Sequence, residues 1–158
     1  MSSAPIRILY VCTGNICRSP FAEAAALKYA ERSGLPVQAR SASTLGLDGR
    51  DPDPKMARVA REIGITLSGT STPLSAELIE WADVISVMEL RHAESVRSVA
   101  TGAGLPDPAV TLLGPYAGSQ EISDPHGSWT RRPYRRARDL LQQAVVAQLE
   151  QIASDRGL

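Results

Sequence analysis

The stretch Arg7-Ile8-Leu9-Tyr10-Val11-Cys12-Thr13-Gly14-Asn15-Ile16-Cys17-Arg18-Ser19-Pro20 decides how this chain is read. Its first five residues are a short β-rich run whose last four, Ile8 to Val11, do not alternate apolar with polar, the pattern of a strand buried on both faces. Cys12 ends the run, and Thr13-Gly14-Asn15 make a turn. Ser19-Pro20 reads as a helix start, with Ser at the N-cap and Pro at the first helical position, where a missing N–H costs nothing. Ala22, Ala25, Ala26 and Tyr29 recur at helical spacing, and Gly34 closes the helix. The unit is a strand, a tight loop and a helix.

Outward from this unit the same alternation repeats. Val37–Ala42 is a second strand, and the Gly-, Asp- and Pro-rich stretch from Ser43 to Pro54 is a loop. Met56, Val59, Ala60 and Ile63 form one helical face ending near Gly64, and Ser75 caps a short helix bearing Leu78, Ile79 and Trp81. Val84–Met88 is a buried strand, Glu89 to about Ala100 a helix, and Ala109–Leu113 a weaker strand. A long amphipathic stripe runs from about Thr130 to Ile152. Strands alternating with helices predict an α/β fold with a parallel sheet covered on both faces. Ligands of such sheets bind beyond the carboxyl ends of the strands, where Cys12 falls.

With 158 residues, no repeat and no long linker, one domain spanning residues 1–158 is expected. No stretch is apolar enough to span a membrane, and the N-terminus shows no basic region leading into an apolar one. The 17 basic and 17 acidic side chains cancel, so a global footprint for nucleic acid is absent. Two cysteines cannot make a disulfide scaffold, and a cytoplasmic location is expected. Two His and two Cys without zinc spacing make a metal site unexpected.

The loop from Thr13 to Arg18 reads as an anion site before any family is considered. Backbone N–H groups converge at the start of a helix, whose dipole adds about half a positive charge. Gly14 and Asn15 are residue types that accept left-handed backbone, letting successive N–H groups point inward. Arg18 offers a planar fork matched to two oxygens of a phosphate. That field favours the thiolate of Cys12, an ionised nucleophile facing phosphorus. The leaving oxygen needs an acid, and the candidate is Asp124 in Ile122-Ser123-Asp124-Pro125, held extended by the following proline.

Cys-x5-Arg-Ser-Pro directly after the first strand, written Cys-Thr-Gly-Asn-Ile-Cys-Arg, resembles the low-molecular-weight protein tyrosine phosphatases. Ser41-Ala42, Gly64-Ile65-Thr66-Leu67-Ser68-Gly69, Ala82-Asp83-Val84-Ile85 and Asp124-Pro125 extend the resemblance over nearly the whole chain. It implies a three-layer fold, a four-stranded parallel sheet flanked by helices on both faces, with no metal and no cofactor. It also implies Cys12 as nucleophile, Arg18 as phosphate clamp and Asp124 as general acid and base. Thr13, Gly14, Asn15, Ile16, Cys17 and Arg18 would wrap the phosphate, Ser19 would support the thiolate, and Asn15 would order the loop through Ser41. The substrates implied are phosphorylated proteins, and the protein is expected to be a monomer or weak dimer.

Some positions depart from the family. Leu45-Gly46-Leu47-Asp48-Gly49 lacks an aromatic wall residue, His126 follows Asp-Pro where Tyr or Phe is common, Trp129 comes three residues on, and Thr70 replaces a frequent His. Relatives resembling arginine-phosphate phosphatases tend to have Thr where Ile16 stands, which inclines the reading to phosphotyrosine. Alternatives are a protein arginine phosphatase, an arsenate reductase using a small external thiol, and a silent phosphate-binding module. Cys17 is either a small packed hydrophobe or a redox partner whose disulfide with Cys12 shields the nucleophile. Arg131, Arg132, Arg135, Arg136 and Arg138 form a charge cluster, either a solvated helix face or a reader of acidic substrates. Asp107-Pro108 is a rival Asp-Pro that more simply makes a turn.

Overall fold

A computed structural model describes residues 4–158; the reading of the extreme N-terminus in residues 1–3 lies outside them. The order is β1 (Ile6–Cys12), α1 (Arg18–Ser33), β2 (Val37–Ser43), α2 (Pro54–Arg61), α3 (Ala76–Trp81), β3 (Val84–Val87), α4 (Leu90–Gly102), β4 (Val110–Leu112), a 3-10 turn (Gly114–Ala117) and α5 (Arg132–Asp155). The four strands form one sheet in the order β2-β1-β3-β4. Every pairing is parallel.

The unbroken apolar run of β1 is explained by its two faces. Ile6, Ile8 and Tyr10 pack into one core with α1, α2 and α5, whereas Leu9 and Val11 pack into another with α3 and α4. Alternate side chains of a strand point to opposite faces, so a central strand covered on both sides has no place for a polar residue except where it is hydrogen-bonded. The Tyr10 hydroxyl obeys this rule, donating to Gln148 Oε1 of α5 at 2.9 Å, while Gln148 Nε2 donates to Ser86 of β3 at 3.1 Å. Fully burying one such aliphatic side chain contributes roughly 1.5–3 kcal/mol, so the two cores supply most of the driving force. Edge strand β2 alternates exposed and covered positions instead.

Two local expectations are met. Gly34 ends α1 in the left-handed region (φ 69°), and Ser75 caps α3 by accepting the Leu78 N–H at 3.2 Å. One needs correction. Helix α1 begins at Arg18 with Cys17 at its N-cap, because the Ser19 hydroxyl is engaged elsewhere, against the thiol of Cys12. The carboxyl edge of the sheet brings the ends of β1 and β2 and the residues just after β3 together, at Cys12, Ser43 and Glu89. Asp107 precedes β4 at the opposite edge, exposed beside Arg97 and remote from Cys12.

Candidate active site

Cys12 is 2% exposed at the end of β1, where residues 13–17 curl over it before α1 begins. Asn15 sits at φ 55°, the one non-glycine among the described residues with positive φ. Gly14 is not left-handed, so Asn15 alone makes the reversal that both were expected to share. The side chain of Asn15 holds that conformation. Its Oδ1 accepts the Thr72 N–H at 2.8 Å and its Nδ2 donates to Ser19 Oγ at 2.8 Å. Ser19 Oγ thus accepts from Asn15, leaving its own proton to donate to Cys12 Sγ, 2.9 Å away; the Ser19 N–H also points at the sulfur, at 3.4 Å. Both donors strengthen as sulfur gains negative charge.

Among the described residues, the backbone N–H groups from Thr13 to Arg18 donate to no protein acceptor. Buried N–H groups without partners are rare, and a cluster of them at a helix start is a cradle for an anion. Arg18 adds to it. Its guanidinium is 1% exposed, Nη1 donates to Glu89 Oε2 at 2.6 Å and to the Ile122 carbonyl at 2.7 Å, and buried Nε has no protein partner. Nη2 lies 3.5 Å from Asp124 Oδ2. One edge of the fork is fixed by protein and the other retains donor capacity, which suits a tetrahedral oxyanion.

Glu89 was missed by sequence reading. It stands just beyond β3, and its carboxylate, although burial raises its pKa, is held below its ordinary value by Arg91 and Arg18. It caps α4 together with His92. His92 Nδ1 accepts the Glu89 N–H at 3.0 Å, so the neutral ring carries its proton on Nε2 and donates to Thr13 Oγ1 at 2.9 Å. Burial, then the Arg18 charge, lowers its pKa to about 4, which keeps it neutral. No local signal marked either residue, because both reach the loop across more than seventy positions of chain.

Ser41 requires correction. Its hydroxyl donates to Glu23 at 2.7 Å and does not meet Asn15. In the parallel register Ser41 pairs with Tyr10, short of the loop, while Ser43 pairs with Cys12. Ser43 orders the loop, donating to the Thr13 carbonyl at 2.6 Å and accepting the Leu45 N–H at 3.1 Å.

Asp124 lies at the mouth, where its side chain is 35% exposed and Oδ1 accepts the His126 N–H at 3.0 Å in a turn over Pro125. Cys12, Thr13, Ile16, Arg18, Asp124 and His126 line one cleft of about 200 Å³, with Leu45 and Leu47 as its apolar wall. The missing aromatic wall is thus replaced by leucines, and Trp129 is 96% exposed rather than packed there. Cys17 also lines this cleft, as a buried free thiol; burial, then Asp124 and Asp53, pushes its pKa well up.

A second aspartate ties the site to the scaffold. The Asp53 N–H donates to the Ile16 carbonyl at 2.8 Å. Its buried carboxylate caps α2 through the Lys55 N–H at 2.8 Å, accepts Tyr134 Oη at 2.8 Å and accepts His126 Nδ1–H at 2.5 Å. Burial alone would raise its pKa, but these donors hold it below the ordinary value.

The family model for low molecular weight phosphotyrosine protein phosphatases matches residues 7–157. This chain belongs to that family. Among the relatives of this phosphatase is a protein-arginine-phosphatase of Bacillus subtilis, 35% identical over 150 residues that cover 94% of this chain and 98% of the relative. The low molecular weight protein-tyrosine-phosphatase Etp of Escherichia coli is 33% identical, covering 94% and 90%. A solved structure of the YwlE arginine phosphatase with a phosphorylated active-site serine aligns with a TM-score of 0.86 and 34% identity, covering 96% and 98%. The fold predicted from the sequence, a four-stranded parallel sheet flanked by helices on both faces, is thereby met. No helix among the described residues is long and apolar enough to cross a membrane.

Proposed function

We propose that this phosphatase hydrolyses phosphotyrosine in proteins through a cysteinyl-phosphate intermediate, in a reducing, cytoplasmic setting. The observation that carries the reading is the unpartnered cradle: free N–H groups from Thr13 to Arg18 and buried Arg18 Nε surround the mouth above Cys12 Sγ. Sγ attacks phosphorus, the P–O ester bond breaks, and its electron pair leaves with the ester oxygen, which takes the Asp124 proton. Water then attacks the cysteinyl phosphate while Asp124 takes a proton back, and the S–P pair returns to sulfur. Each charge shift meets a donor already in place, so little reorganisation is needed. Ser19 and Asn15 hold the sulfur, and Ser43, Glu89 and His92 hold the loop and Arg18.

The wall of the cleft supports tyrosine over arginine. Ile16, Leu45 and Leu47 offer apolar contact to a phenyl ring and no acceptor to the N–H groups of a phosphoguanidine. The second reading, arginine phosphatase, is favoured by the names of similar proteins. Paired peptides carrying phosphotyrosine or phosphoarginine, assayed beside a small aryl phosphate and arsenate, separate these. Wild type is expected to turn over phosphotyrosine at least about 10-fold better by kcat/KM, an apolar-pocket discrimination of about 1.4 kcal/mol. Cys12→Ser is expected to lose all hydrolysis; turnover retained in that variant overturns the mechanism.

A further inference from the structure

On the other side of Asp124 from the catalytic cleft lies a second groove of about 340 Å³, between the acid-bearing loop and the first turns of α5. Asp124 lines both hollows, so whatever fills this groove lies against the leaving-group side of a bound substrate. Its lining is apolar at buried Ile122 and Ala137 and half-buried Leu140, and charged at exposed Arg132 and Arg136.

The arginine cluster divides here into two functions. Arg135 and Arg138 turn toward α2, where both bind Glu62, and Arg138 also reaches the Val59 carbonyl and Asp139. They are structural ties. Arg132 and Arg136 are exposed, face the groove, and have no carboxylate within ion-pair distance among the described residues. The first turn of α5 has no acidic residue and no side-chain cap, so two cations stand where the helix dipole disfavours them by a few tenths of a kcal/mol. The groove's own carboxylates are engaged away from them: Glu121 accepts the Leu90 N–H at 2.7 Å, and Asp124 lies 3.5 Å from Arg18.

We infer that this groove binds the segment of a phosphoprotein substrate next to the phosphorylated residue, with Arg132 and Arg136 receiving an acidic side chain on it. The chemistry favours a carboxylate or a second phosphate, since two guanidinium forks beside an apolar floor match a chain with an acidic flank. The inference rests on the phosphatase reading of the adjoining cleft.

The test uses one phosphotyrosine peptide in two forms, one with Asp and Glu around the phosphotyrosine and one with Asn and Gln in their place, with a small aryl phosphate as reference. Wild type is expected to prefer the acidic form about 10-fold, mostly through KM. Arg132→Ala combined with Arg136→Ala should erase that preference, leaving aryl phosphate hydrolysis within about 2-fold. Arg135→Ala with Arg138→Ala removes the same two charges from the same helix but not from the groove, and is expected to keep the preference. An unchanged preference in the groove variant overturns the groove, as does an equal loss with Arg135→Ala and Arg138→Ala together, which would signal a diffuse field. Absence of all phosphotyrosine hydrolysis, in wild type as well, would instead overturn the underlying phosphotyrosine reading.

Discussion

Two Asp-Pro pairs meet beside the catalytic loop and have been given opposite environments. Asp53 is 4% exposed and accepts hydrogen bonds from His126, Tyr134 and two backbone N–H groups, so its carboxylate is locked in the ionised form. Asp124 is exposed at the mouth, with one backbone donor and Arg18 at 3.5 Å. A carboxylate surrounded by donors cannot readily give or take a proton, whereas one at the edge of the cleft can. His126 joins them, its N–H on Asp124 and its ring on Asp53. One aspartate holds the frame and the other is the acid and base of the proposed mechanism, a division that follows surroundings and not residue type.

Four substitutions or conditions break or sharpen that contrast. Asp124→Asn should lower kcat for aryl phosphates about 10³-fold, equivalent to about 4 kcal/mol, most for poor leaving groups and with unchanged melting temperature. Steady-state rates across a leaving-group series check it, and a uniform loss would contradict an acid role. Asp53→Ala should do the reverse, costing about 3 kcal/mol of stability in urea unfolding through a lost cap and orphaned Tyr134 and His126, with kcat within about 10-fold. Should its activity fall as far as that of Asp124→Asn, the two roles are not separate.

The pH dependence sharpens the frame side. His92 is buried with a pKa of about 4, below its unfolded value of about 6.5, so the unfolded chain binds the extra proton first. Its stabilising contribution is full above pH 6.5 and declines as pH falls toward 4, by about 2 kcal/mol between pH 7 and pH 5. His92→Gln should flatten that limb in denaturant titrations at several pH values. Asp53 adds a separate acid limb below about pH 4, because its folded pKa lies beneath the unfolded one and protonation on falling pH removes its bonds. The smallest effect belongs to His126→Ala, about 1 kcal/mol or less in stability and a few-fold in kcat, since Tyr134 and the α2 cap still hold Asp53. A loss matching Asp124→Asn would make the linking histidine part of the chemistry.

Much of this site was legible because it is local. Cys12, Asn15, Arg18 and Ser19 lie within one short stretch from the end of β1 to the start of α1, and their residue types announce a left-handed turn, a helix start and an anion clamp. Even there, local rules chose Ser19 as a helix cap, and the sulfur of Cys12 claimed it instead. Asp53 was passed over as loop composition, although Asp before a Pro-led helix is a recognisable cap signature. Ser43 was displaced by Ser41 because strand register is a property of two strands, and a residue's level against the neighbour cannot be read from one of them.

From its sequence alone, this protein's order of elements, its doubly buried first strand and the chemistry of its loop were already determined, since periodicity, turn chemistry and N-terminal dipoles act over a few residues. Tertiary structure decided which distant groups close the site: Glu89 and His92 after β3, Ser43 at the end of β2, Asp53 before α2 and Asp124 before α5. The reason is geometric. Parallel strands deliver their carboxyl ends to one edge whatever the chain length between them, so residues remote in sequence converge there, and only that convergence sorts structural from reactive carboxylates.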